Sequence, residues 1–177
     1  MEKTVYFVRH GECVANVQGV IAGGGDDSPL TEIGKAQAKE TAQNLKGTVF
    51  DFIASSPMSR TLDTAKIIID ELGVNNLETV EMPEFIERDV GEYTGKPKEE
   101  YFAFEASGGE AGENTSDMQE RVKRGLSWLR KQEFNNALVV THNGTVRMIL
   151  TVLENLPAKD FAHLPQLGNG EYLKVKL

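Results

Sequence analysis

The order of residues predicts an α/β fold, a three-layer sandwich in which helices cover both faces of a mostly parallel central sheet. Three observations carry that expectation. Apolar runs of strand length alternate with amphipathic helical patterns along the 177 residues, the pattern of successive βα units. The runs Thr4 to Val8 and Ala137 to Thr141 are almost wholly apolar, as strands must be when both sheet faces are covered. Both runs lead into a histidine followed by a glycine turn, Arg9-His10-Gly11-Glu12 and His142-Asn143-Gly144.

Thr4 to Val8 is the first strand, and loop signals follow it, densest at Gly23-Gly24-Gly25-Asp26-Asp27-Ser28-Pro29. A helix begins near Thr31, with Gly34, Ala38, Ala42 and Leu45 along one stripe and Lys35, Lys39 and Lys46 opposite. Phe52 to Ser55 is a second strand. Ser56 is placed to cap the next helix, with Pro57 at its first position. That helix carries Met58, Leu62, Ala65, Ile69 and Leu72 on one face and stops at Gly73; Thr79 to Met82 then reads as an edge strand.

From about residue 84 to residue 115 the chain becomes acidic and glycine-rich, with one short helical pattern near Glu99 to Phe104. We read it as a lid-like excursion over the sheet, within a single domain of residues 1–177. Ser116 and Gln119 form a capping-box pattern that opens a helix packing Met118, Val122, Leu126 and Leu129. Ala137 to Thr141 is the next strand, Thr145 to Leu153 a helix, and Glu171 to Leu177 closes the sheet. Ligands of such sheets sit at the carboxyl ends of strands, where both histidine motifs fall.

A net charge of −8 argues against nucleic acid or an acidic membrane surface as partner. Any anionic substrate must then be drawn by local positive charge. The one cysteine, Cys13, excludes an internal disulfide and thiolate zinc sites and fits a reducing compartment. Met1-Glu2-Lys3-Thr4 leads straight into a strand without a signal-peptide apolar region. No apolar run reaches the ~20 residues of a membrane span, so a cytoplasmic protein is the expectation. Oligomeric state is left open.

A lone histidine is more often structural than catalytic, but His10 directly follows a strand, precedes Gly11 and has Arg9 beside it. Arg9 points to an anionic substrate, phosphate above all. A neutral imidazole can attack phosphorus and give a phosphohistidine that water later hydrolyses. Such chemistry needs positive donors around the phosphoryl oxygens. Arg9 supplies a planar fork of donors. Arg60, near the start of the second long helix, reaches the same rim, although alone it reads equally as a solvated helix-face arginine. His142 can donate to a phosphoryl oxygen, the Asn143 backbone N–H opens the following helix as an anion site, and Asn16 contributes a neutral amide. A leaving alkoxide needs a proton, and Glu87, where the edge strand runs out under the excursion, is placed to give it. By itself Glu87 is one of 27 acidic residues and no stronger than a solvated surface charge. Cys13 is a poor nucleophile candidate, because the C-x5-R cradle of cysteine phosphatases needs arginine where Gly19 stands.

Together these residues resemble the histidine phosphatase superfamily, the phosphoglycerate-mutase-like fold. The resemblance rests on Arg9-His10-Gly11-Glu12 with Asn16, on Asp27-Ser28-Pro29-Leu30-Thr31-Glu32-Ile33-Gly34, and on Ser55-Ser56-Pro57-Met58-Ser59-Arg60-Thr61. It continues in Glu87-Arg88-Asp89-Val90-Gly91-Glu92-Tyr93-Thr94-Gly95 and Thr141-His142-Asn143-Gly144-Thr145-Val146-Arg147. The blocks run in family order from Arg9 to Arg147. The resemblance implies His10 as the phosphorylated nucleophile, with Arg9, Asn16, Arg60 and His142 around the phosphate, beside the Asn143 N–H read above. It further implies Glu87 as proton donor, Ala22 and Gly23 on a substrate-binding loop, and neither metal nor cofactor. The residue count agrees, since three histidines and one cysteine make no usual ligand spacing. Cys13 departs from the family's Ser or Thr, Asn143 from its Gly or Ala, and Tyr93-Thr94-Gly95 from Trp-Glu-Gly. The run Gly23-Gly24-Gly25 is expected to loosen its loop.

The expected function is a metal-independent phosphatase acting on a small phosphorylated metabolite. Its rivals are a phosphoglycerate mutase, a protein-phosphohistidine phosphatase and a silent phosphate-binding module. The excursion holds Lys96 and Lys98 but then Glu99, Glu100, Glu105, Glu110, Glu113 and Asp117, and no arginine lies between Arg88 and Arg121. Such a lid is expected to repel a second anionic group by about 1 kcal/mol per close solvated charge pair, which favours hydrolysis over the mutase.

Overall fold

The computed structural model describes residues 2–177. The elements run β1 (Thr4–Arg9), α1 (Val14–Val17), α2 (Glu32–Asn44), β2 (Phe52–Ser55), α3 (Ser59–Leu72) and β3 (Thr79–Glu81). They continue as α4 (Lys98–Ala106), α5 (Thr115–Lys131), β4 (Asn136–Thr141), α6 (Asn143–Leu153) and β5 (Tyr172–Lys176). The sheet is ordered β3-β2-β4-β1-β5 and is parallel except at β5, which runs antiparallel to β1. No described helix is long and apolar enough to cross a membrane.

The period-two alternation of the strands divides the core. Val5 and Phe7 of β1 and Ala137 and Val139 of β4 face α5 and α6. Tyr6, Val8, Leu138 and Val140 face α2 and α3. The predicted stripes follow: Met118, Val122, Leu126 and Leu129 of α5 are fully buried, each side chain worth about 1.5–3 kcal/mol. On α3 the stripe is rotated from the expected one. Thr61, Thr64, Ala65 and Ile68 are buried, while Leu62 and Leu72 lie only partly covered, because Arg60 and the threonines turn toward the carboxyl edge of the sheet.

Two helix starts also differ from expectation. α3 begins at Ser59, not after Ser56, because the Asp27 carboxylate from the glycine-rich loop accepts the Ser59 N–H at 2.7 Å and takes over the capping. α5 is capped by Asn114, whose side chain accepts the Asp117 N–H at 2.8 Å, which puts Ser116 inside the first turn. α6 starts two residues before the expected Thr145, for a reason that lies in the site. The excursion carries α4 and is pinned at its return: the Arg121 fork grips both Glu113 oxygens, at 2.7 and 2.6 Å, and reaches the Glu84 and Ile86 carbonyls.

The topology decides where a site can form. β1 leads to the α2/α3 face and β4 to the α5/α6 face, so the connections diverge at the carboxyl ends of these two adjacent strands. A crevice opens at such a point.

Candidate active site

Register brings the two histidines together. Arg9 of β1 pairs with Thr141 of β4, and the His10 N–H donates to the Thr141 carbonyl at 3.0 Å. The next residue on each strand is a histidine, and their ring centroids lie 5.3 Å apart at 65°. His10 is 5% exposed and lines a cavity of about 220 Å³, while His142 is fully buried behind it.

Hydrogen bonding sets the state of His10. Its Nδ1 lies 2.7 Å from the Gly11 carbonyl oxygen, so that nitrogen carries the proton and Nε2 keeps a lone pair. Burial, with Arg60 and Arg9 nearby, pushes the imidazole down to about 3, so the ring is neutral at physiological pH. Gly11 is in turn held by Thr64, whose Oγ1 accepts the Gly11 N–H at 3.1 Å and donates to the Arg60 carbonyl at 2.7 Å. Burial and the charges of Arg60, Arg121 and Arg9 hold His142 well below the ordinary histidine range.

Arg60 is 1% exposed. Its Nη atoms donate to the carbonyls of Asp26 and Gly23, at 2.6 and 2.9 Å. Arg9 donates to the Leu167 carbonyl. Among the described residues neither forms an ion pair, and the Nε of each is buried without a partner. Burial lowers Arg9 from its ordinary value. Two guanidinium groups without ion pairs line one cavity, an arrangement that can hold an anion.

Glu87 lines the same cavity. Its Oε2 accepts the Gly144 N–H at 3.0 Å and its Oε1 the Arg88 N–H at 3.0 Å. The first contact caps α6, which is why that helix begins at Asn143. Asn16 lines the same cavity, its Oδ1 accepting from Cys13 N–H and from Asn169 at 3.1 Å each. Asn143, whose backbone N–H is expected to meet an anion, lines the cavity as the first residue of α6, and its side-chain Oδ1 accepts the Leu167 N–H at 3.0 Å. Ala22 and Gly23 line the cavity too. The glycine run does not loosen its loop as expected. It is pressed against the 87–94 segment, and a Cβ on Gly24 would meet the Glu87 carbonyl at 2.7 Å.

The lid's charge also departs from the expectation. Of Glu99, Glu100, Glu105, Glu110, Glu113 and Asp117 only Glu105 lines the cavity, and it is ion-paired to buried Arg88 and accepts from the Tyr101 hydroxyl at 2.9 Å. Glu110 and Glu113 are turned to Arg88 and Arg121. Lys98 from α4 and Arg147 from α6 line the cavity instead. Three of the six acids expected to repel, Glu105, Glu110 and Glu113, are thus ion-paired to arginines, which weakens the repulsion expected at the site. Among the described residues, no group of three or more His, Cys, Asp or Glu side chains is arranged around a possible metal position.

Four contributors were not singled out from the sequence. Thr64 is one helical turn beyond Arg60, a spacing that could have revealed it. Asn169 donates to the His10 carbonyl at 3.1 Å from a Gly-Asn-Gly loop 159 residues away, and nothing local signals it. Arg147 lay inside a recognised block but carried no assigned role. Ser56 is expected as a helix cap, yet its hydroxyl lies 2.8 Å from His142 Nε2.

Comparison with known proteins agrees with this geometry. Residues 5–177 match the family described as the histidine phosphatase superfamily (branch 1). An uncharacterized phosphatase, PhoE, of Bacillus subtilis (strain 168) is 34% identical over 149 residues, covering 83% of this chain and 75% of its own length. A 2,3-bisphosphoglycerate-dependent phosphoglycerate mutase of Mesorhizobium japonicum is 28% identical over 196 residues, covering 96% and 90%. The alpha-ribazole phosphatase from Shigella flexneri superposes with a TM-score of 0.85 at 26% identity, covering 97% of this chain and 89% of its own. With the paired histidines, the unpaired arginines and the helix-capping glutamate in place, the chain belongs to the histidine phosphatase superfamily, branch 1.

Proposed function

We propose that this protein hydrolyses a small phosphomonoester through a phosphohistidine at His10, without a metal. The observation that carries the reading is the state of His10: a neutral ring with its Nδ1 proton tied to Gly11 O and its Nε2 lone pair free, beside two guanidinium groups without ion pairs. The Nε2 lone pair attacks phosphorus while the P–O bond to the alcohol breaks. The Glu87 carboxyl gives its proton to the departing oxygen, so a neutral alcohol leaves. Positive charge on the phosphorylated ring is met by the Gly11 carbonyl, and charge on the phosphoryl oxygens by Arg9, Arg60, His142 and Asn16. Water then attacks phosphorus, Glu87 takes its proton, and the N–P bond breaks to return neutral His10 and inorganic phosphate.

The mutase reading has one observation in its favour: Lys98 and Arg147 line the cavity beyond Arg9 and Arg60 and can meet a second anionic group. A turnover screen of phosphorylated small metabolites and an aryl phosphate, with and without 2,3-bisphosphoglycerate, separates the two. Net phosphate release without the bisphosphate is expected, and it should vanish in His10→Ala. Residual turnover above about 1% of wild type in that variant removes His10 from the mechanism. Isomerisation that depends on the bisphosphate, without net release, assigns the mutase.

A further inference from the structure

We propose that Ser56 fixes the tautomer of His142, so that His142 Nδ1–H is the donor offered to the phosphoryl group. Ser56 is then a positioning residue that acts through the imidazole. The proposal rests on the phosphoryl-transfer reading above, but it concerns a hydrogen bond that can be observed without turnover.

The hydroxyl of Ser56 and Nε2 of His142 are 2.8 Å apart, and both residues are fully buried. Among the described residues Ser56 Oγ has no other partner, and His142 Nδ1 has none at all. Three states of the ring are conceivable. The imidazolium is opposed by burial and by the surrounding positive groups, Arg60, Arg9 and Arg121. With the proton on Nε2, the ring donates to Ser56 Oγ. The serine O–H is then left without an acceptor and Nδ1 is left with a bare lone pair, two unmatched groups out of reach of water. With the proton on Nδ1, the serine O–H donates to Nε2, and the one unmatched polar hydrogen is Nδ1–H. Buried polar groups are costly to leave unpaired, so the second arrangement prevails.

The hydroxyl is held in place by its backbone. The Ser56 N–H donates to the Val140 carbonyl at 2.9 Å, and its own carbonyl accepts from Thr61 Oγ1 at 2.8 Å and Ser55 Oγ at 2.9 Å. The two rings are thus prepared for complementary tasks. A carbonyl ties up the proton of His10 and frees a lone pair for attack. A hydroxyl ties up the lone pair of His142 and frees a proton for an oxyanion. The His142 ring centroid lies 5.3 Å from that of the nucleophile His10, and in this proposal a phosphoryl oxygen held at His10 completes the orphan donor.

The chain has three histidines, so two-bond 1H–15N spectra of ¹⁵N-histidine-labelled protein resolve each ring. Wild type is expected to show His142 protonated at Nδ1 and bare at Nε2. In Ser56→Ala the ring should shift toward the Nε2–H form, and vanadate affinity should fall about tenfold or more, as when an oxyanion donor is misdirected. Ser56→Cys, a weaker donor of similar size, should lie between. A wild-type His142 protonated at Nε2 overturns the proposal, as does a Ser56→Ala protein that keeps both the Nδ1–H form and vanadate affinity. If Ser56→Ala does not fold, the wild-type spectrum and Ser56→Cys decide. A wild type that hydrolyses no phosphomonoester yet shows the expected tautomer defeats the proposed function and not the tautomer assignment.

Discussion

Adding one methyl group to Gly144 should displace Glu87, the proposed proton donor, while sparing the fold. A Cβ built on Gly144 would stand 2.5 Å from Glu87 Oε1, 3.2 Å from its Cδ and 3.3 Å from Oε2. Ordinary contacts begin near 3.4 Å, so the carboxylate must retreat by about 1 Å, and its bond to the Gly144 N–H at 3.0 Å must lengthen. A displacement of that size at a reacting group costs about 100-fold in rate, or about 2.7 kcal/mol of barrier. Stability should hardly change, because Gly144 lies in the first turn of α6 with no positive φ and alanine is preferred over glycine in helices by about 0.5–1 kcal/mol. The assay compares kcat of Gly144→Ala on an alkyl and an aryl phosphate, with the urea midpoint measured alongside. The alkyl ester, whose poor leaving group depends on the acid, should slow about 100-fold and the aryl ester far less. Equal slowing of both esters would refute Glu87 as the acid, and an unchanged alkyl rate would refute the positional reasoning.

Other perturbations test the electrostatics. His10 is held at about 3 and His142 also well below 6.5, whereas both take up protons near pH 6.5 when unfolded. Between about pH 6.5 and 3 the unfolded chain therefore binds more protons, and stability should fall with falling pH by up to about 1.4 kcal/mol per unit for each histidine. Urea midpoints at pH 7, 6 and 5 should show the slope, and His10→Gln should reduce it; an undiminished slope contradicts the buried neutral ring. Inorganic phosphate should raise the melting temperature where chloride at equal ionic strength does not, with about 2.7 kcal/mol gained at 100 times Kd. An unmoved melting temperature up to saturating phosphate would dismiss the anion site. Turnover should survive EDTA, and a loss restored by added metal would refute the metal-free mechanism.

The strands, the stripes of α2 and α5 and the identity of the paired histidines were legible in the residue order. Each is a local property: periodicity, apolar run length and a glycine after a strand depend on neighbours a few positions apart. Helix starts were legible only where the cap is local. Thr31 caps α2 through its own side chain, accepting the Gly34 N–H at 3.0 Å. α3 and α6 are capped by Asp27 and Glu87, which lie 32 and 57 residues from the N–H groups they meet, and no window along the chain contains both partners.

By itself, then, the sequence determined the strands and the longer helices, though not the single turn α1, and which side chains stand at the ends of β1 and β4. The tertiary structure decided their chemistry. The neighbours of a buried charge or ring set whether it is paired, protonated or free, and those neighbours come from distant segments. Glu105, Glu110 and Glu113 are paired to Arg88 and Arg121, the glycine run is pinned by close packing, and Ser56 faces a histidine 86 residues away.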